Sequence, residues 1–229
     1  MAVQDNQAVL VWVHDDPAKP ISQSMELRYS LWDGNAWSAP AYLTTNDLLD
    51  VQPVIAYDGI GQPVAMWVQV DGAQSATTPR ELMPHYELAY SVYNTATLTW
   101  SAPATLTHNA YMDALPKLAL APDGALNAVW LSANADDFPV APDEHISTTS
   151  TIWTSVWNGV AWTTPTPVIT NTHGEARPAF LAGTPAVIAW SEDTDGDSYT
   201  TADHETVSYT HLRAHETVLD LVCRLLLEK

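Results

Sequence analysis

Short runs of alternating hydrophobic and polar residues, separated by turn residues, fill the chain up to about residue 205. Between residues 51 and 107, four such runs are rich in Val, Tyr, Trp and Thr: 53–57 (PVIAY), 64–68 (VAMWV), 87–93 (ELAYSVY) and 100–107 (WSAPATLT). Runs of this length and composition predict β-strands. Asp-Gly or Asn-Gly between apolar residues, as in WDGNAW and WNGVAW, favours a hairpin. The pattern therefore predicts a four-stranded antiparallel meander.

This four-run pattern recurs along the chain with a period of about 62 residues. Trp37, Trp100 and Trp162 mark one position of the repeat, at spacings of 63 and 62 residues. Three further series share the register, the last of them with looser spacing: Pro40, Pro103 and Pro165; Pro53, Pro116 and Pro178; Trp12, Trp67, Trp130 and Trp190. Four series in one register indicate repetition of one structural unit.

A single four-stranded sheet with two apolar faces cannot bury both of them, so copies of the unit must stack. Four strands per copy around an axis form a propeller. We therefore predict an all-β fold, an incomplete β-propeller of four-stranded antiparallel blades. The predicted units are a partial blade over 1–45 that supplies strands two to four, blades over 51–107 and 114–170, and a partial blade over 176–206. Because closed propellers have about four to eight blades, we expect missing blades of the same protein to complete the ring.

One repeated turn resembles a motif of a known family. Residues 30–37 read SLWDGNAW, and residues 155–162 echo them as SVWNGVAW. This segment resembles the Asp-box of sialidase-type propellers, Ser-x-Asp-x-Gly-x-x-Trp, although Asp33 falls one place late and the copy at 91–100 carries two extra residues. The resemblance implies a propeller fold. In that family the box is a structural turn remote from the active site, so the resemblance says little about function.

The charge balance excludes several classes of partner. Acidic residues number 27 against eight basic ones, for a net charge of −19. Such a chain repels phosphate backbones and anionic lipid surfaces, so we predict neither nucleic-acid nor membrane-surface binding. There is no run of eighteen apolar residues, hence no predicted membrane span, and no signal peptide at the start of this sequence. Acidity, Thr- and Asn-rich loops and the resemblance favour an extracellular or cell-surface location.

The last 23 residues, 207–229, break with the repeat. The period predicts that Glu205 opens a third strand like ELRYSLW or ELAYSVY, but after Thr206 the chain reads VSYTHLRAHETVLDLVCRLLLEK. That string resembles the translation of a transposase-type sequencing adapter, whose two constant segments would encode 207–216 and 220–229. We interpret the tail as artefactual, and with it Cys223, the only cysteine. The alternative is an amphipathic C-terminal helix over 218–227.

The loops between predicted blades repeat an Asn and, four residues later, an acidic residue. The members are Asn46 and Asp50, Asn109 and Asp113, Asn171 and Glu175. One interpretation is a ring of carboxylates and amides near the propeller axis that binds cations or sugar hydroxyls. The other is structural: Asn and Asp cap a turn by accepting hydrogen bonds from backbone amides. The structural interpretation is favoured because a residue repeated in every blade usually serves the blade.

A second candidate is the acidic loop near residue 195, where Asp193, Asp195 and Asp197 suggest calcium, a cation that takes oxygen ligands. Gly196, however, occupies the fourth place of the run, whereas EF-hand-type loops have glycine at the sixth. A solvated acidic loop without an ion is the favoured alternative. No other cofactor is predicted.

The sequence favours a binding role over catalysis. A sialidase-like site needs three arginines that grip a carboxylate, but outside the tail only Arg28, Arg80 and Arg177 occur, at unrelated positions of the repeat. We predict a non-catalytic interaction module for a glycan or protein partner. The alternative is a fragment of a sialidase-like or other glycosidase whose catalytic residues are missing here. Trp153, which replaces Arg28 and Ala89 at its repeat position, is a candidate for stacking on a sugar; the alternative is a core residue.

Overall fold

The computed structural model describes residues 1–72, 75–76, 78–134, 149–173, 179–181, 187–193 and 204–210. Within these ranges the fold is all-β, as predicted, and its strands form antiparallel sheets in which sequence neighbours pair. The helical segments described are the four-residue helix α1, Pro79–Leu82, and two 3₁₀ turns, Ile21–Gln23 and Met83–His85. No helix in this part of the chain is long and apolar enough to cross a membrane.

The first sheet has four strands in the order β1-β2-β3-β4. They are β1 (Ala2–Gln4), β2 (Gln7–Asp15), β3 (Met25–Trp32) and β4 (Ala41–Tyr42). The prediction that residues 1–45 supply only strands two to four was wrong, because β1 occupies the first position. Its pairing is short and closes through a tight turn in which Asp5 has a φ of 50°.

The second sheet contains β5 (Leu49–Tyr57), β6 (Pro63–Val70), β7 (Tyr86–Asn94), β8 (Thr99–Trp100) and β9 (Ala104–Thr105). The predicted continuous strand over 100–107 is two short pieces, β8 and β9, which both pair with β7. Pro103 lies between them, and proline cannot donate the backbone hydrogen bond that an uninterrupted ladder requires.

The third sheet contains β10 (Tyr111–Leu120), β11 (Leu126–Asn134), β12 (Thr149–Trp157) and β13 (Thr166–His173) in sequence order. The fourth contains β14 (Ala179–Leu181), β15 (Val187–Asp193) and β16 (His204–Thr210). Strand β16 includes the first four residues of the adapter-like segment, and 211–229 lie outside the described residues. The adapter origin of that segment stays a prediction.

Hydrophobic clusters join each sheet to the next. Val11 and Leu27 of the first sheet pack with Trp67 of the second. Met66 and Val68, from the opposite face of the second sheet, pack with Trp130 of the third. The third and fourth sheets share a further cluster that contains Val129, Ile152 and Trp190. The aliphatic face of one sheet therefore covers the Trp-bearing face of its successor. The described sheets stack in chain order but do not close into a ring.

The second and third sheets also meet through a hydrogen bond at one end and through a close contact between two turns at the other. Gln52 and Leu115 precede the equivalent prolines of the repeat and both have positive φ, 52° and 55°. The Leu115 N–H donates a 2.8 Å hydrogen bond to Gln52 Oε1, which lies 63 residues earlier. At the opposite end of the sheets, a Cβ on Gly59 would collide with the carbonyl oxygen of Gly124, so the two turns are in close contact.

Candidate functional site

Asp50, a predicted ligand-binding residue, lies in β5 with none of its surface exposed. Its Oδ1 accepts hydrogen bonds from Trp67 Nε1 at 2.7 Å and from Gln69 Nε2 at 3.1 Å. Its Oδ2 accepts one from Asn46 Nδ2 at 3.0 Å, and Asn46 Oδ1 accepts the Leu48 N–H at 2.8 Å. The Asn46–Asp50 pair therefore links the turn before the second sheet to a core tryptophan.

The third sheet repeats this network. Asp113 lies in β10, is 1% exposed, and accepts hydrogen bonds from Trp130 Nε1 at 3.1 Å and Asn109 Nδ2 at 2.8 Å. Asn109 Oδ1 in turn accepts the Tyr111 N–H at 2.7 Å. The threonine two residues before each Asn takes part as well: Thr107 Oγ1 accepts the Leu88 N–H at 2.8 Å, and Thr44 does the same in the preceding unit.

Burial dominates the electrostatics of both carboxyl groups. The pKa of Asp113 is raised to about 6, mainly by desolvation and to a smaller extent by the nearby charge of Glu87. Hydrogen bonds from Asn109, Ser132 and Thr107 act in the opposite direction. Desolvation also raises the pKa of Asp50, against four side-chain hydrogen bonds that favour the carboxylate. Removal from water disfavours the charged form of an acid, so these carboxyl groups are held in place at an electrostatic cost.

These contacts favour the structural interpretation of the four residues, with one correction. Asn46 and Asn109 cap turns, as that interpretation expects. The two aspartates, in contrast, accept indole hydrogen bonds rather than capping a turn. The indole partner was missed from the sequence, yet a signal was present: both Asp–Trp pairs are 17 residues apart. Most oxygen atoms of these four side chains already accept hydrogen bonds from other residues of the chain. Ligand binding by these side chains stays a prediction.

The third predicted pair is only partly described. Asn171 lies within β13 rather than in a loop between sheets, because β13 continues to His173. Its side chain and the whole of Glu175 lie outside the described residues. Trp190 matches Trp67 and Trp130, and its Nε1 is buried without a hydrogen-bond partner among the described residues. Glu175 precedes Pro178 by three residues, as Asp50 precedes Pro53, so it is the acceptor that the repeat predicts.

The three calcium candidates lie largely outside the described residues. Asp193 ends β15, its side chain is not described, and Asp195 and Asp197 lie outside the described residues. Among the residues that are described, no group of three or more His, Cys, Asp and Glu side chains is arranged to hold a metal ion. Calcium at the acidic loop stays a prediction.

Trp153 lies in β12, opposite Trp130 in the ladder, and is half-buried. It packs against the cluster that joins the second and third sheets, beside Met66 and Val68. Its repeat equivalent Ala89 is buried in the cluster between the first and second sheets. This position favours a core role, and stacking of Trp153 on a sugar stays a prediction.

The Asp-box-like turn is built in the same way three times. Asp33 Oδ1 accepts the N–H groups of Asn35 and Ala36, both at 2.8 Å, and these hydrogen bonds lower the pKa of Asp33. Asn94 and Asn158 accept the equivalent pairs of N–H groups with their own Oδ1 atoms. An amide oxygen serves as well as a carboxylate because the turn needs only an acceptor. The repeated serine is also structural: Ser30, Ser91 and Ser155 donate to the carbonyls of Ser38, Ser101 and Thr163.

The loop between β2 and β3 meets the loop between the first two sheets at one end of the stack. Lys19 Nζ, from the first of these loops, donates to Glu26 Oε1 at 3.1 Å and to the Asn46 carbonyl oxygen at 3.3 Å. Tyr111, at the start of β10, lies at the equivalent end of the third sheet and is 48% exposed. We call this end of the sheets, which carries Lys19 and the exposed Tyr111, the loop end.

Neither a scan of protein-family models nor a search of curated proteins found a match to this chain.

Proposed function

We propose that the chain is part of a β-propeller and acts as a non-catalytic interaction module of an extracellular or cell-surface protein, with a glycan or a protein as its partner. The observation that carries this proposal is the repeated register. Successive sheets stack through the same faces, and the Asp–Trp network and the Asp-box-like turn recur at equivalent positions. Such stacked repeats usually expose one set of variable loops, which serve as a binding surface.

The exposed aromatic face of the first sheet supports the propeller part of the proposal. Trp100 of the second sheet packs edge-on against Tyr29 of the first, and Trp162 of the third packs against Tyr90 of the second. The equivalent Trp37 of the first sheet is 44% exposed. A further blade of the same protein would supply the tyrosine and the aliphatic side chains that this face has in the other sheets.

The arginines support a non-catalytic role. Arg28 lies in β3 with its guanidinium 4.4 Å from the ring centre of Tyr42, whereas Arg80 lies in α1 beside the second sheet. A cluster that grips a substrate carboxylate needs convergent arginines, whereas Arg28 lies in a strand of the first sheet and Arg80 lies in a helix between two strands of the second. Arg177 lies outside the described residues. The alternative is a glycosidase that has its catalytic residues in other blades. An experiment must distinguish this alternative from the non-catalytic binding module.

Two assays on the immobilised full chain test both functions. The first measures retention of neutral and acidic glycans, and the second measures hydrolysis of fluorogenic glycosides. Retention of a glycan class without release of the fluorophore is the expected result. Tyr111→Ser at the loop end should weaken that retention, while Leu98→Ser, at a 69% exposed position in the hairpin at the opposite end, should leave it unchanged. Hydrolysis of a glycoside would contradict the non-catalytic proposal.

The proposed adapter origin of 207–229 has a separate test. Amplification of the locus from source DNA with primers outside the library adapters should give a different continuation after Glu205 or Thr206. We expect that continuation to encode a third strand that resembles ELRYSLW and ELAYSVY. Recovery of the same 23 codons from source DNA would refute this origin.

A further inference from the structure

The first sheet holds a buried carboxylate together with an ammonium partner. Glu26, in β3, is 3% exposed; its Oε1 accepts a hydrogen bond from Lys19 Nζ at 3.1 Å and its Oε2 accepts the Asn46 N–H at 3.2 Å. Lys19 Nζ also donates to the Asn46 carbonyl oxygen at 3.3 Å and lies 3.9 Å from Asp47 Oδ1. The ammonium group therefore has three oxygen neighbours, and its hydrogen bond to Glu26 raises the pKa of Lys19.

The second sheet repeats the carboxylate. Glu87 in β7 has the register of Glu26 in β3: each pairs with the residue two places after the repeated Trp of the neighbouring strand. Oε1 of Glu87 accepts the Asn109 N–H at 2.6 Å, which matches the bond from Asn46 to Glu26. Oε2, the counterpart of the oxygen that Lys19 contacts, is buried and has no hydrogen-bond partner among the described residues, and Glu87 as a whole is only 9% exposed.

Some of the groups that surround the Lys19 ammonium in the first unit have counterparts around Glu87. The Asn109 carbonyl corresponds to that of Asn46, while Ala110 stands where the first unit has Asp47. Arg80 precedes Glu87 by seven residues, as Lys19 precedes Glu26, but Arg80 has an interaction of its own. The negative charge of Glu87 acts on Asp113, because it contributes to the raised pKa of that residue.

We propose that Glu87, with the Asn109 carbonyl, forms a binding site for an ammonium group supplied from outside the chain, where the first unit uses its own Lys19. A buried carboxylate oxygen without a partner is costly, and an ammonium group offers the charge and the N–H donors that it lacks. A divalent ion fits less well because calcium takes about six to eight oxygen ligands. The described residues include no metal-binding group of three or more side chains. The source of the ammonium is either the free ion or a lysine side chain of a protein.

Thermal unfolding of the full chain in ammonium chloride and in tetramethylammonium chloride, at equal ionic strength, tests the site. Both cations carry one positive charge, but only ammonium has N–H groups to donate. At a salt concentration about three times Kd, ammonium should raise Tm by about 2 °C over tetramethylammonium. Equal melting temperatures in the two salts would overturn the proposal.

Two variants locate the effect. Glu87→Gln, nearly the same shape without the charge, should abolish the difference between the two salts. Lys19→Ala should enlarge it, because the Glu26 carboxylate then becomes a second site, and adding Glu26→Gln to Lys19→Ala should reverse that gain. If Glu87→Gln kept the wild-type difference in Tm between the two salts, the assignment of the site to Glu87 would be refuted.

A measurement on the wild-type chain separates the two sources and does not depend on the folding of a variant. The ¹³C resonance of the Glu87 carboxyl should move on titration with ammonium chloride and stay in place with tetramethylammonium chloride. Nα-acetyl-lysine methylamide, with the norleucine analogue as its control, then probes lysine. Movement with the lysine derivative supports a protein lysine as ligand, whereas movement with ammonium alone supports the free ion. No movement with either would overturn the site.

Discussion

Asp113→Asn should remove one defined component of the pH dependence of stability. The carboxyl group of Asp113 is buried, and its pKa is raised from 3.8 to about 6 in the folded chain. Between these two values the folded state holds the proton that the unfolded state releases. The contribution of Asp113 to stability is therefore fully present below about pH 4 and is lost as the pH rises through 6. The difference between these two pKa values corresponds to roughly 3 kcal/mol.

The assay is urea unfolding, followed by tryptophan fluorescence between pH 4 and pH 7. Asparagine is neutral throughout this range, so the free energy of unfolding of wild type minus that of Asp113→Asn should fall by roughly 2.5 kcal/mol between pH 4 and pH 7. The Asn side chain also places an amide opposite Asn109 Nδ2, which adds a cost that does not change with pH. Asp123→Asn, at an exposed position, is the matched control and should parallel wild type. A constant difference between wild type and Asp113→Asn across this range would refute the reasoning.

Three further outcomes follow from the same contacts. Trp130→Phe removes the indole donor to Asp113 and should lower the free energy of unfolding at pH 7 by roughly 1.5–3 kcal/mol in urea titrations, whereas no change would mean that this hydrogen bond contributes nothing. Gly59→Ala forces a Cβ against the Gly124 carbonyl and should cost roughly 1–3 kcal/mol in the same assay; Gly159→Ala, with no described atom within 4 Å of its Cβ but a φ of 92°, should lose only about 1 kcal/mol to backbone strain. Calcium held by the three aspartates near residue 195 would raise Tm over that in chelator, and an unchanged Tm would leave that loop as a solvated acidic segment.

The strand pattern was predictable because it depends on local chemistry. Alternating apolar residues, Gly-containing turns and the spacing of Trp and Pro anchors all report the same unit, and the all-β fold of antiparallel sheets is confirmed. The errors fall where local signals are weak. Strand β1 has three residues, too few to show alternation, and the division of the fourth run into β8 and β9 depends on hydrogen bonds that Pro103 cannot donate.

The candidate site was less predictable because its chemistry depends on pairs that are distant in sequence. Asn46 and Asp50 were recognised as a repeated pair, but a repeated acidic residue has the same sequence signature whether it faces solvent or an indole N–H. Burial decides between the two, and burial of Asp50 arises from the neighbouring strand and the sheet stacked against it. The constant spacing to the repeated Trp was the available clue, since equal spacing in two units implies equal geometry.

The two buried glutamates show why departures from a repeat are informative. Glu26 and Glu87 share their register and their hydrogen bond to an Asn N–H, so the backbone alone cannot explain any difference between them. What differs is the preceding loop, which supplies Lys19 in the first unit and is longer in the second. The sheets fix the positions of the two carboxylates, whereas the loops around them vary. The charge of Glu26 is therefore neutralised by Lys19 within its own unit, and in our proposal the charge of Glu87 is neutralised by an external group. A repeat protein can acquire a binding site in this way by changing one loop while its stacked core remains the same.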